Sequence, residues 1–313
     1  MPASIECLPA SIRLTLAMRL DNTIEITFMN TIFRLDEVTV LDVVGDDAQT
    51  ILHNLTTNDV KALQQGCGCE TFITEVRGRT IGHVEAYRTA DGFRLIGAPG
   101  QAETIANQTE KYTITEDVQP QDRSGDFTAF VIHPQASSSL RDETDWTQCN
   151  AIAFDTQWLG TSTLVVLTET PGAVEQVCVS CGEPVADQQA FHMARVQAGF
   201  PWYGIDFSEK NLPQEVNRIE QTISFTKGCY LGQETVARLD ALGQVQKQLV
   251  RWQTEGSMPA PGSEVSSANK VVGRLTSLCP TAENQAIAIG IARRSHFDPG
   301  SAASGEGFEA VVR

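Results

Sequence analysis

Polar and apolar residues alternate strictly near the start of the chain. Ile12, Leu14, Leu16, Met18 and Leu20 face one way, with Arg13, Thr15, Ala17 and Arg19 between them. After Asp21-Asn22 the alternation resumes at Ile24, Ile26 and Phe28. Period two with a two-residue break predicts a β-hairpin. Residues 1–29 are read as an N-terminal extension, either that hairpin or the product of a start assigned upstream of Met29. The β-branched run over residues 38–44 predicts a strand. Gly45-Asp46-Asp47 then predicts a cap for a helix over Ala48–Leu55. Further strands are expected over Thr71–Val76, Ile81–Thr89 and Phe93–Ala98, with turns at Arg77-Gly78-Arg79 and Ala90-Asp91-Gly92. Helical spacing covers 101–112. Strands follow at Ile152–Phe154 and Leu164–Leu167, and Ala186–Ala198 predicts a helix that Gly199-Phe200-Pro201 stops. A Pro-, Gly- and Ser-rich stretch over Met258–Gly273 marks a boundary before short strands. Mixed strands and helices with few βαβ units predict an α+β protein.

The 313 residues exceed a typical single core, so more than one domain is expected. Apolar residues make up 41% and charged residues 20% of the chain, an ordinary globular balance that excludes collagen-like or wholly disordered chains. The net charge of −16 opposes a nucleic-acid or polybasic membrane-surface role. No apolar run reaches the length of a membrane span, and Arg13 and Arg19 break the best signal-like stretch. The eight cysteines are scattered, which points to free thiols and a cytoplasmic location.

Several familiar chemistries are missing. There is no Gly-x-Ser-x-Gly, no His-Glu-x-x-His and no Walker A loop. Gly305-Glu-Gly307 lies too near the C-terminus to open a dinucleotide-binding helix. Cys178-Val-Ser-Cys181 has no second pair to complete a zinc site, and the Gly182-Glu-Pro184 behind it predicts a turn with inert thiols. Cys67-Gly-Cys69 reads the same way. No metal site is expected.

The informative segment runs from Ile223 to Arg238. Gly228 and Gly232 bracket Cys229, Tyr230 and Leu231, and Lys227 stands two residues before the cysteine. A nearby ammonium favours thiolate, which makes Cys229 the candidate reactive thiol. Gln233 opens a helix on which Glu234 and Arg238 have i,i+4 spacing. Residues 210–251 carry six cationic and four acidic side chains, a local +2 suited to an anionic small ligand.

Lys227-Gly-Cys-Tyr-x-Gly-Gln-Glu234 resembles the signature of the YgfZ proteins, folate-binding relatives of the glycine-cleavage T-protein, an aminomethyltransferase. Asn54-Leu-Thr-Thr-Asn-Asp-Val60, Lys111-Tyr-Thr-Ile114, Gln197-Ala-Gly-Phe-Pro201, Pro213-Gln-Glu215 and Gly273-Arg-Leu-Thr-Ser277 resemble other parts of that family in order and spacing. The resemblance covers about residues 35–295. It implies a ring of ferredoxin-like α+β folate-binding domains over 30–245, and a small C-terminal β-barrel domain over 246–313. It also implies a tetrahydrofolate, or a derivative, in a central channel. Lys227 and Cys229 would be the chemical residues, and Gln197, Asn58, Tyr230, Gln233 and Arg238 the folate contacts. The function it implies is that of a tetrahydrofolate-binding accessory protein for iron–sulfur cluster assembly or repair, with iron–sulfur client or assembly proteins as partners. The alternative is a folate-dependent aminomethyltransferase. T-proteins carry an Asp-Asp pair where this chain has Gly82-His83, which disfavours that transfer chemistry. Where many relatives have a Glu this chain has Gln197, whose amide fits the donor edge of a pterin less well than a carboxylate.

Overall fold

The computed structural model describes residues 14–18, 24–28, 32–160, 163–243 and 245–313. Strands β1 (Leu14–Met18) and β2 (Ile24–Phe28) pair antiparallel, Leu14 opposite Phe28 and Met18 opposite Ile24, so the expected hairpin forms. Its Asp21-Asn22 turn lies outside the described residues.

Two five-stranded sheets follow, and the chain passes from one to the other immediately. Strand β3 (Ile32–Leu35) belongs to the first sheet and β4 (Thr39–Val44) to the second. The second sheet also contains β5 (Gly68–Thr74), β6 (Thr80–Arg88), β7 (Gly92–Gly97) and β8 (Gln119–Asp122), ordered β5-β6-β7-β4-β8 and antiparallel throughout. The first sheet is completed by β9 (Thr128–Ile132), β10 (Ala151–Thr156), β11 (Thr163–Thr168) and the two-residue β12 (Val185–Ala186), in the order β10-β11-β9-β3-β12. Only β12, beside β3, runs parallel to its neighbour.

Helices α1 (Ala48–Leu55) and α2 (Ala102–Lys111) cover one face of the second sheet, with Ile51, Leu52, Leu55 and Ile105 packed on Val43, Val84 and Leu95. The opposite face, including Val40, Tyr87 and Ile96, shares a core with the first sheet and helix α4 (Gln188–Ala198), where Phe33, Val131, Val165 and Phe191 meet. Strands buried on both faces lose alternation, which is why 38–44 reads as a continuous apolar run. Asp47 is the N-cap residue of α1, as expected, but its carboxylate accepts from the Asp117 N–H (3.0 Å) and not from the helix.

Two expectations fail locally. The Pro-, Gly- and Ser-rich stretch over Met258–Gly273 is no boundary before short strands, because the strand Lys247–Gly256 comes before it and the 13-residue strand Lys270–Ala282 begins within it. Cys178 is not in a turn. It lies in the last turn of helix α3 (Pro171–Ser180), which has Pro171 in its first turn and buries Val174 and Cys178 as an i,i+4 pair. The turn begins only at Cys181-Gly182. Burial raises the Cys178 thiol to about 12, which keeps it protonated. The short helix α5 (Ile219–Thr222) and α6 (Gln233–Leu242) lead to the C-terminal strands. Strands β13 (Lys247–Gly256), β14 (Glu264–Ser267), β15 (Lys270–Ala282), β16 (Gln285–Arg293), β17 (Ala302–Gly305) and β18 (Phe308–Val312) close a barrel in the order β13-β16-β15-β14-β17-β18. Trp252, Leu275 and Phe308 fill it. The fold is α+β with a C-terminal barrel. No helix among the described residues is long and apolar enough to cross a membrane.

Candidate functional site

The cluster of greatest chemical interest sits on the inner face of the second sheet. β5 and β6 pair so that Glu70 lies directly opposite Glu85 and Phe72 opposite His83. His83 and Glu85 share one face of β6, while Val84 and Ala86 point to the core beneath α1 and α2. Glu70 is fully engaged. It takes a bidentate pair from Arg218 and accepts from His83 Nε2 at 2.7 Å. These partners hold its carboxyl below the usual range despite burial. His83 is fixed by stacking on Phe72 (4.9 Å) and Phe200 (5.7 Å), and the Arg218 guanidinium lies 4.7 Å above Phe200.

Glu85 is different. It is 4% exposed, and its Oε1 has no hydrogen-bond partner. Burial, then repulsion from Glu70, raises its pKa well above the ordinary carboxyl value. Glu70 and Glu85 line both a narrow internal pocket walled by Trp158, Phe200, Trp202 and Tyr203 and a cavity of about 430 Å³. The larger cavity also touches Cys69, Asp155, Gln157 and Gln221. Its size is in the range of small-molecule sites. Burial raises Cys69 to about 12, which keeps it a thiol.

None of the seven site residues inferred from the sequence lines this cavity. Lys227 is buried, and its ammonium donates to three backbone carbonyls, those of His53 (2.7 Å), Thr56 (2.7 Å) and Asn58 (2.9 Å). Its three N–H bonds therefore clamp the end of α1, and burial pulls its pKa down to about 8. Burial, and after it this positive charge, lowers the His53 pKa. Tyr230 packs its ring 5.2 Å from the Lys227 ammonium, and burial raises its phenol to about 12. The side-chain amide of Asn58 donates to the carbonyls of Glu70 and Gln221 (both 2.9 Å), so it shapes the cavity wall from behind. Gln197 is half-buried on α4, and its carbonyl accepts from Arg251 at 2.8 Å. Gln233 is half-buried and Arg238 exposed on α6; Glu234 and Arg238 do not approach within ion-pair distance among the described residues.

Cys229 is exposed and lines a second cavity of about 400 Å³ with Ile51, Asn54, Leu55, Tyr112, Tyr230 and Leu231. The segments read as separate motifs thus converge. Leu231 N–H donates to Asn54 (2.8 Å), and Thr74 Oγ1 to the Leu231 carbonyl (2.6 Å). Gly232 has φ +81°, and a Cβ there would stand 2.5 Å from the Glu75 carbonyl and 2.6 Å from Gly78 Cα, so only glycine fits. Gly228 has space around it.

Position 82 could not supply a carboxylate to the cavity, because a Cβ at Gly82 would meet Ile105 on the α2 side at 2.8 Å. Position 83 faces inward and holds the imidazole. Sequence reasoning stopped at that pair and missed Glu85, two residues on. The available signal was strand alternation, which puts residues 83 and 85 on one face. Glu70 and Arg218 had no such signal, because their 148-residue separation hides the pairing.

No known family profile matches the chain. Over 97% of this chain and 93% of the other, the structure superimposes on the glycine cleavage system aminomethyltransferase T of Bartonella henselae, with a TM-score of 0.73 and 14% identity. That likeness establishes the fold as T-protein-like. Among sequence relatives, the tRNA-modifying protein YgfZ of Cronobacter sakazakii is 26% identical over 247 residues, covering 75% of each chain. Yersinia pestis YgfZ is 24% identical over 249 residues, covering 75% of this chain and 74% of its own length. A chloroplastic protein of Arabidopsis thaliana that carries a transferase name is 27% identical over 259 residues; the match takes in 75% of this chain but only 58% of that protein. Within the T-protein-like fold, the chain is similar to the YgfZ proteins.

Proposed function

We propose that the chain binds a tetrahydrofolate in the central cavity and serves iron–sulfur enzymes as an accessory protein, with Cys229 as its outward-facing thiol. The observation that carries the folate reading is the cavity itself. It is of ligand size, lies between the two sheets, and is lined by carboxyl and carboxamide groups that can pair with the N–H and C=O groups of a pterin. Cys229 lines a different cavity from Glu70 and Glu85, which supports a thiol that acts on a partner and not on the folate. A chain of net charge −16 repels a phosphate backbone, so a link to tRNA modification would run through a partner enzyme.

The aminomethyltransferase reading keeps one specific support. Glu85 supplies a buried carboxyl near the position where Gly82-His83 lacks one, and a carboxyl with raised pKa is suited to general acid chemistry. The deciding experiment is a thermal-shift series with tetrahydrofolate, run beside an assay for methylene-tetrahydrofolate formation from aminomethyl-lipoyl protein. Stabilisation without turnover is expected. No shift at millimolar ligand defeats the folate reading, and turnover at an enzymatic rate replaces the accessory role with the transferase.

A further inference from the structure

Two carboxyls face each other directly across β5 and β6, and the protein treats them unequally. Glu70 receives three hydrogen bonds, two of them from a guanidinium. Glu85 receives none at Oε1 and is almost wholly removed from water. Like charges directly opposite in a sheet are unfavourable, and adjacent carboxyls relieve this by sharing one proton. The Arg218 guanidinium has already settled which member is ionised.

We propose that Glu85 stands in the central cavity as an uncharged carboxylic acid and pairs, as donor and acceptor together, with the lactam edge of the bound ring. This rests on the folate reading above. A carboxylic acid presents one O–H and one C=O side by side. A ring lactam, the N–H/C=O edge of an oxopyrimidine, presents the complementary pair. An ionised carboxylate offers acceptors only and would oppose the lactam oxygen. The groups facing Glu85 are consistent with an uncharged acid. From β5 come ionised Glu70 and the thiol of Cys69; from β6, His83 and the buried phenol of Tyr87; from the end of β10, Asp155; and Arg218 is already committed to Glu70. No uncommitted cation stands among them to hold Glu85 as an anion.

The test is calorimetric titration with 5-formyl-tetrahydrofolate, on the full chain, for the wild type, Glu85→Gln and Glu85→Ala. The carboxamide keeps a donor beside an acceptor, so Glu85→Gln should retain affinity, whereas Glu85→Ala leaves the lactam edge unpaired and should weaken binding about 10–100-fold. Wild-type affinity should fall as pH rises and Glu85 ionises, and that dependence should vanish in Glu85→Gln. Infrared difference spectra of the ligand-free protein should show a protonated-carboxyl band near neutral pH that Glu85→Gln removes. If Glu85→Ala fails to fold, the Gln variant, the pH profile and the band still decide. Loss of binding in Glu85→Gln, with wild-type affinity rising with pH, would mean an ionised Glu85 and overturn the proposal. Binding untouched by Glu85→Ala overturns the pairing while sparing the folate reading, whereas a wild type that binds no folate overturns both.

Discussion

Two arginine–carboxylate pairs, Arg195–Asp206 and Arg218–Glu70, have different surroundings. Arg195 on α4 meets Asp206 at 2.6 Å, and both side chains are at most 1% exposed. Its other N–H groups go to His192 Nδ1 (3.0 Å), the Phe200 carbonyl (3.1 Å) and Ser277 Oγ (2.8 Å). Asp206 accepts in addition from Trp202 N–H, Thr276 and Ser277. This network ties α4 to barrel strand β15 and leaves Asp206 saturated. Arg218–Glu70 is also well paired, but it borders an open cavity and faces a carboxyl whose Oε1 has no partner. A saturated pair is a clamp. A pair with an unsatisfied carboxyl beside it, on a cavity wall, is a candidate ligand contact.

The sharpest way to break this comparison is to remove one member of each pair. Asp206→Ala strands a buried guanidinium and should cost about 3–5 kcal/mol, the range for an uncompensated buried charge. Denaturant unfolding would measure it, and a loss under about 1 kcal/mol would deny the clamp. Arg218→Met should cost less, about 2–3 kcal/mol, because Glu70 can take up a proton or recruit cavity water. Its larger consequence should be on the ligand. Without Arg218 the shared proton is no longer assigned to Glu85, and folate-induced stabilisation should disappear. Retained ligand stabilisation in Arg218→Met would make the two pairs equivalent clamps.

Gly232→Ala probes the close approach of the signature segment to the Glu75–Arg79 turn. The residue adopts φ +81° against the backbone of Glu75 and Gly78, so alanine should cost about 2 kcal/mol or more and loosen the segment that carries Cys229. Equal melting temperatures for the variant and wild type would contradict the close approach.

The unequal carboxyls also give opposite pH signatures. Glu85 has a raised folded-state value. The stability tied to its proton is full below the ordinary carboxyl value of 4.5 and is lost as pH climbs toward the folded value, by up to about 1.4 kcal/mol per pH unit. Glu70 is lowered, so its contribution is present above 4.5 and is lost as pH falls through its folded value. Glu85→Gln should flatten the fall of stability above pH 4.5 while leaving the acid limb intact. A variant whose stability still falls with pH in the same way would place that proton elsewhere.

Much of the fold was legible because its signals are local. Alternation gave β1 and β2, β-branched runs gave β4, and the Gly199 stop gave the C-terminal end of α4, whose first turn starts two residues later than expected, after Asp187. Helix α3 was obscured by the Gly182-Glu-Pro184 turn that follows it. The site was legible in a different sense. The signature around Lys227 was visible as a motif, but a motif does not reveal whether a residue reacts or docks. Lys227 and Gly232 are spent on backbone contacts that join the signature to His53–Asn58 and to the Glu75–Arg79 turn, and Asn58 on the carbonyls of Glu70 and Gln221. Nothing in sequence spacing predicts that an ammonium will find three carbonyls more than 160 residues away. The cavity cluster was hidden because it joins β5, β6, β10 and the loop before α5, each unremarkable alone.

The smallest expected effect on stability is the most telling for function. Cys229 is exposed, and the bonds that hold its loop belong to Lys227, Leu231 and Gly232. Cys229→Ser should therefore change stability by less than about 0.5 kcal/mol. Limiting thiol reagent should label Cys229 and Cys67, both exposed, before half-buried Cys69 and buried Cys178 and Cys279. Because Cys229 and the central cavity are lined by different residues, folate should leave its labelling rate unchanged. If folate slows Cys229, the two cavities communicate and the thiol stands nearer the ligand than their linings indicate. In cells lacking the native protein, Cys229→Ser should remain folded and folate-binding yet fail to support iron–sulfur enzyme activity. Full rescue by the serine variant would reduce the signature to a docking turn, and the chemistry of the protein would then rest on Glu70, Glu85 and Arg218 alone.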